Sequence, residues 1–569
     1  MALPAAPPAP PKGRNLRRPL LFTAGLALLA TAAAALWYEF EHSTLQARIA
    51  ADLAGQSRFE LGPGPSDAVR FPGPGPYDER LGYSRLPAFS QRLQSQGFGI
   101  TEQARMSPRM LDLTAQGLFP IYREKPQGGL DLLDCRADSL FGVRYPERTY
   151  ARFEDAPPLL VQALLFIENR ELLDERVPSR NPAVEWDRFG RAVLDRAVRT
   201  VVDDHSGGGG STLATQIEKY RHSPEGRTDS PAEKLRQMAS ATLRAYSQGE
   251  DTRARRREIA LDYLNSVPLA ARAGFGEING MGDGLWAWFG RDFDEFNRLL
   301  RTPAGQVPLA EQAAAFKQAL ALMVAQRRPS YYLLDGIQDL GTLVDAHLRV
   351  LAQAGVISTA LRDAALASRL KLQPQAPVRT PVSFVERKAS TALRTRLSSM
   401  LGVERVYELD RLDLVARSSL DSQAQRAATR LLRSLATPEG ARAAGLYGFR
   451  LLSEGDDPSP ISFSFTLLER TPGANLVRVQ TDSGDQPFDI NEGARLDLGS
   501  TSKLRTLVTY LELVAEAHAR WSPLTPEQLK AESIHTKDVL GLWARDHLLI
   551  TKDRSLDAML EAATQRRFS

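Results

Sequence analysis

Three short segments carry side chains whose types and spacing could do chemistry. Glu168 closes the apolar run LLFI. A partly buried carboxylate in such surroundings can take a proton from an attacking hydroxyl, the task of a general base. The bland alternative is a solvated helix carboxylate among neighbours such as Glu171 and Asp174. The run Gly207–Gly210 leads into Ser211-Thr212-Leu213-Ala214-Thr215-Gln216-Ile217-Glu218-Lys219. That pattern predicts a helix N-terminus capped by Ser211 or Thr212, with Lys219 two turns on. Such an end could hold an anionic phosphate group, although a glycine run alone also makes a mobile linker. It is not a P-loop, because no GK[ST] closes it. Ser500-Thr501-Ser502-Lys503 is an S-x-x-K, in which the ammonium could activate the hydroxyl as a nucleophile if both lie on one helical face.

Elements must hold these groups, and the chain is long enough to supply them. Of its 569 residues 43% are hydrophobic and 25% charged, which excludes a disordered or fibrous chain. The net charge of +4 is too small at this length to argue for nucleic acid. The single cysteine, Cys135, excludes an internal disulfide framework, and the seven histidines show no metal-ligand spacing, so no metal site is expected. Lys12, Arg14, Arg17 and Arg18 precede Leu20–Tyr38, a run without charge. Basic tail and apolar run predict a single-pass anchor in the cytoplasmic membrane, with the N-terminus inside and the body on the periplasmic side. A cleaved signal peptide is the alternative.

The expected organisation is a basic tail (1–18), a transmembrane anchor (19–39) and an extracytoplasmic lead-in (40–150). A helix-rich domain (151–375), a linker region (376–450) and a last region (451–569) follow. The helical block rests on LLVQALLFIENRELL, STLATQIEKY, EKLRQMASATLRAYS, RRREIALDYLNSV and LAEQAAAFKQALALMVAQ, all apolar at three- and four-residue spacing. Residues 458–482 alternate like paired strands around a Pro-Gly/Asn turn, and a helix is expected from Ser500 to His518.

Taken in order, LLVQALLFIEN around Glu168, GGSTLATQIEK, EKLRQM around Lys234 and RRREIALDYLN ending at Asn265 resemble successive motifs of a known domain. It is the peptidoglycan glycosyltransferase (transglycosylase) domain of class A bifunctional penicillin-binding proteins. Further matches are GFGEI, WAWFG, LAEQAA, RRPSYY and RVLAQAGVI, so the likeness covers about 155–375. It implies an α+β multidomain protein: an N-terminal transmembrane helix, a mainly α-helical lysozyme-like glycosyltransferase domain, then the start of an α/β transpeptidase-like domain. The implied activity is polymerisation of lipid II into glycan strands with release of undecaprenyl pyrophosphate, in cell-wall biosynthesis. Glu168 maps onto the family's general base. Lys219, Arg227, Lys234 and Arg236 map onto basic positions that would hold the pyrophosphate. Ser211, Thr212 and Gln216 would order the loop, and Gln237 stands where the family has a second carboxylate. Tyr263 and Asn265 are expected to support the helix scaffold. No cofactor is required, though a divalent cation (Mg2+ or Mn2+) could accompany the pyrophosphate. Implied partners are lipid II, the growing strand, the cytoplasmic membrane and other cell-wall synthesis proteins, with no nucleic acid.

The chain also departs from the family pattern. Asn169, Leu172 and Glu175 replace an Asp, an aromatic and a His of the first motif, which makes this a divergent member. SSLDSQAQRAA (Ser418–Ala428) resembles the segment before the family's transpeptidase module, which makes Ser500 its candidate nucleophile and Lys503 its base. Neither an S-x-N nor a K-[ST]-G follows Lys503, so the transpeptidase part is expected to be incomplete, a fragment or a degenerate remnant. Two other classes compete: a catalytically weakened scaffold of the cell-wall machinery, and a lysozyme-like glycan-cleaving enzyme.

Overall fold

A computed structural model describes residues 17–185, 211–303, 305–375, 384–484, 490–493 and 499–567. Gly207–Gly210 lie outside the described residues, as do Asp187, Phe189, Arg191 and Ala192, which resemble the tail of the family's first motif. The protein is mainly helical with a few small sheets, consistent with a lysozyme-like domain. It divides into two compact units, Met1–Asp489 and Ile490–Ser569.

The expected anchor lies inside a helix spanning Arg17–His42. Among the described residues, however, no helix is long and apolar enough to cross a membrane. Leu28, Leu29 and Trp37 of this helix are exposed, with no protein surface packed over them.

The helical domain is built around one apolar cluster running from Tyr150 to Ala365. Its centre is the helix Leu309–Ala325, in which Ala313, Ala315, Ala319, Leu320, Ala321 and Leu322 are fully buried. Alanine side chains let neighbouring helices approach closely, while the leucines fill the remaining space. The helix Pro158–Glu168 starts on proline, whose fixed φ suits a first helical position, and buries Leu160, Val161, Ala163 and Leu164. The sequence pattern predicts this helix to continue through Leu173, but it stops at Glu168. Asn169 leaves helical geometry at φ −158° and uses its side chain elsewhere: its amide donates to Glu185, and its Oδ1 accepts the Leu213 N–H at 3.4 Å.

Small sheets flank the domain. Strands β1 (Phe59–Pro63) and β2 (Glu102–Met106) form an antiparallel pair in the lead-in. Strand β3 (Gly129–Leu133) pairs antiparallel with β4 (Ser139–Gly142) and parallel with β7 (Asp413–Arg417). Segments on either side of the helical domain thus share one sheet, with Leu130, Leu132, Leu409 and Leu412 in a common apolar cluster. Between them in sequence, β5 (Pro268–Arg272) and β6 (Gly276–Asn279) make a hairpin within the domain.

A buried ionic cluster ties the lead-in to the helical domain. His222 lies between Asp78 and Glu124, at 2.7 Å from a carboxylate oxygen of each. Glu124 also pairs with Arg244 at 2.7 Å and with Arg221, and Arg244 pairs with Glu218 at 2.7 Å. All of these side chains are at least nine-tenths buried. Buried charges are tolerated only when paired and hydrogen-bonded in this way.

Within 451–569, residues 458–482 supply the expected hairpin, β8 (Ser464–Arg470) with β9 (Asn475–Asp482). The second unit has helices at Ser502–Trp521, Pro526–Ala531, Val539–Ile550 and Leu556–Thr564, packed around Val514, Trp521, Leu529 and Met559. A transpeptidase domain is not shown.

Candidate active site

Glu168 is the last residue of its helix and is half-buried. The sequence places it in an apolar setting; the structure surrounds its carboxylate with amide donors. Gln216 Nε2 donates to Oε2 at 2.9 Å, and Gln326 Nε2 donates to Oε1 at 3.2 Å. Gln216 comes from the helix Leu213–His222, and Gln326 caps the end of Leu309–Ala325. The amide donors of Gln216 and Gln326 hold the carboxylate's orientation.

The helix Leu213–His222 begins at Thr212, which forms a capping box with Thr215. The Thr215 N–H donates to Thr212 Oγ1 at 3.3 Å, and the Thr212 N–H donates to Thr215 Oγ1 at 3.0 Å. Thr212 is buried and its hydroxyl also donates to the Ala183 carbonyl at 3.2 Å, so its role here is to fix the helix start. From this start Gln216 and Lys219 follow one turn apart on one face. Among the described residues no carboxylate forms an ion pair with Lys219. Burial lowers the proton affinity of its ammonium, and the nearby Glu168 charge opposes that shift.

Lys234 comes from the next helix, Pro231–Ala245, which starts on a Ser230 cap with Pro231 behind it. Its Nζ donates to Ser211 Oγ at 2.8 Å. Burial, and then the charge of Lys219, push Lys234 down to about 8. Lys219 thus lies near the Glu168 carboxylate and Lys234 near Lys219, two partly buried ammonium groups whose mutual repulsion an anion would relieve.

The remaining expected site residues divide. Gln237 is fully buried and donates to Ser223 Oγ and Thr228 Oγ1, both at 2.9 Å. These bonds tie its helix to the preceding loop, and none reaches a lysine. Arg236 pairs with Glu233 at 3.1 Å and lies over the Phe119 ring. Arg227 is exposed and pairs with Glu225 at 3.4 Å. Asn265 braces the scaffold as expected, accepting the Tyr150 N–H at 2.9 Å and donating to the Tyr150 carbonyl at 2.8 Å. Tyr263 is buried, and among the described residues its hydroxyl has no hydrogen-bond partner; burial and the Glu168 charge hold its proton firmly.

Two features escape the sequence reading. Gln326 is one: it immediately precedes RRPSYY, and that position was the only available signal. The His222 cluster is the other, because its members are spread from Asp78 to Arg244. Neighbouring carboxylates are already engaged, Glu171 with Arg180, Asp174 with Arg176 and Glu175 with Arg257. Among the described residues no group of three or more His, Cys, Asp or Glu side chains could hold a metal ion.

In the second unit Ser500 occupies a short 3-10 turn, Gly499–Thr501, just before the helix that begins at Ser502. The sequence expects both residues of the S-x-x-K on the helix. The turn still brings Lys503 Nζ to 3.3 Å from Ser500 Oγ, with both side chains exposed.

No curated protein matches the chain. Residues 137–352 match the family model described as Transglycosylase. The match contains Glu168, both lysines and Gln326, so this part of the chain is similar to the transglycosylase family, the glycosyltransferase domain of class A penicillin-binding proteins.

Proposed function

We propose that the chain polymerises lipid II into glycan strands, releasing undecaprenyl pyrophosphate from the donor. The observation that carries this reading is the run of charges from one half-buried carboxylate, Glu168, to the partly buried ammonium of Lys219 beside it and on to that of Lys234, which acts on Lys219. Glu168 takes the proton of the acceptor's 4-hydroxyl as that oxygen attacks the donor's anomeric carbon. The C–O bond to the pyrophosphate breaks at the same centre, and the electron pair leaves with the phosphate oxygen. Lys219 and Lys234 stabilise the charge developing there. Ser211 orients Lys234 through the 2.8 Å bond, and Gln216 and Gln326 hold the base.

A glycan-cleaving role is less well supported, because hydrolysis of a strand has no use for a pair of phosphate-binding lysines. The basic N-terminal tail and the exposed apolar side chains of Arg17–His42 support attachment to the cytoplasmic membrane with the body outside. Labelled lipid II supplied to the purified chain tests the reading. Strand formation by the wild type and a loss on the order of 100-fold or more in Glu168→Gln are expected. Cleavage of preformed strands, or no reaction with a folded protein, overturns it.

A further inference from the structure

A cavity of about 850 Å³ lies where the lead-in, the transglycosylase domain and residues 405–412 meet. That volume falls within the roughly 300–1,000 Å³ of small-molecule sites. Its walls are fixed independently of any ligand. The Glu277 N–H donates to Tyr407 Oη at 2.9 Å, Tyr83 donates to Asp413 at 2.8 Å, and β3 pairs with β7.

The wall carries a cation, Arg80, whose guanidinium lies 6.0 Å from the Tyr77 ring centroid. Among the described residues Arg80 makes no ion pair, and its buried Nε has no hydrogen-bond acceptor. The guanidinium groups of Arg221 and Arg411 are near enough to act on its charge, and Glu277 is the opposing carboxylate. Two other acids of the wall are already paired, Glu408 with Arg405 at 2.6 Å and Glu225 with Arg227 at 3.4 Å, while Glu79 is exposed. Beside these charges stand the Tyr220 and Tyr407 rings and the polar side chains of Ser266 and Asn279. Arg411 is held between the Tyr145 and Tyr407 rings, 4.2 and 3.7 Å from their centroids, which fixes its guanidinium plane.

We propose that this cavity binds a carboxylate-bearing saccharide, its acid group received by Arg80 and its ring lying against the exposed face of Tyr407. A guanidinium fork matches a carboxylate in two parallel hydrogen bonds, and aromatic faces beside scattered hydrogen-bonding groups suit a polyhydroxylated ring. The acid comes from Arg80; the choice of a saccharide rests on the transglycosylase reading. Glu168 is not among the residues that line the cavity, so this is a holding site for a charged sugar rather than a second reaction centre.

The test is binding to the full-length chain, followed by saturation-transfer NMR and calorimetry, with the glucuronate-containing disaccharide of hyaluronan as probe. Neutral chitobiose, tri-glutamate and inorganic phosphate are the other arms. The acidic disaccharide should bind at least tenfold more tightly than chitobiose, and Arg80→Met should remove that preference. Glu277→Gln, at an exposed position that folding does not depend on, should tighten binding several-fold by removing the competing carboxylate. Equal binding of chitobiose overturns the role of Arg80. Binding of tri-glutamate or phosphate without the disaccharide overturns the saccharide, and no binding by any probe overturns the site. Glu168→Gln should bind the disaccharide like the wild type, so a failure here stands apart from a failure of the polymerase reading.

Discussion

Gln326 Nε2 donates to Glu168 Oε1 at 3.2 Å across 158 positions of sequence, while Gln216 holds the other carboxylate oxygen. The base is thus clamped from two helices that both belong to the domain core. A base held in one orientation loses less entropy on reaching the transition state.

Gln326→Leu keeps the bulk and removes the donor. Turnover should fall about tenfold with the KM for lipid II little changed, since the substrate-holding lysines are untouched. Steady-state kinetics on the folded variant checks this. A rise in KM at unchanged turnover would assign Gln326 to substrate binding instead.

Lys234 gives the site a pH limit. Its ammonium is charged below about 8 and neutral above, so donor capture weakens as pH rises through that value. The kcat/KM profile, which reports the free enzyme, should decline above about pH 8. Bound pyrophosphate favours the charged form, so the limb in kcat should lie higher. Lys234→Arg stays charged throughout and should abolish the decline; an unchanged limb in that variant would remove Lys234 from the binding machinery.

His222 predicts a separate dependence, in stability. Asp78 and Glu124 contact its two nitrogens, Glu218 lies 4.0 Å away, and Arg221 and Arg244 share the same carboxylates. The Glu124 charge and the bonds to Asp78 and Glu124 outweigh burial and raise His222 from its ordinary value of 6.5 to about 9. The folded state therefore binds the proton more tightly than the unfolded chain. That contribution is fully present below pH 6.5 and is lost as pH rises through about 9. It amounts to about 3 kcal/mol. Thermal unfolding should show a lower Tm at pH 9.5 than at pH 6.5, and His222→Gln should flatten that difference.

Ser500 should not acylate stoichiometrically with a fluorescent penicillin. Lys503 approaches its hydroxyl at 3.3 Å, but both side chains are exposed, and an exposed pair lacks the water-excluded electrostatic setting that stabilises an oxyanion. Stoichiometric labelling that disappears in Ser500→Ala would show the opposite.

The periodic segments of the helical domain were legible from sequence because each carries its own apolar face: Pro231–Ala245, Arg253–Ser266 and Leu309–Ala325 stand where the three- and four-residue spacing puts them. Thr212 as a cap and Lys219 two turns later follow from local chemistry alone. The end of the helix at Glu168 does not, because Asn169 is drawn out of the helix by Glu185 and Leu213, partners far along the chain. Gln237 reads as a substitute for a substrate-side carboxylate, yet its bonds to Ser223 and Thr228 give it a scaffold role that only packing reveals.

Sequence by itself determined which residues could supply a base and an anion site, since residue type and order along one helix are local properties. Tertiary structure alone decided what holds them. The amide clamp of Gln326 on Glu168, the repulsive closeness of Lys219 and Lys234, and the His222 cluster each join segments that have no sequence relationship. The physical reason is that charge and hydrogen-bond energies depend on separations of a few ångströms, and distances that short between remote segments exist only once the core has closed.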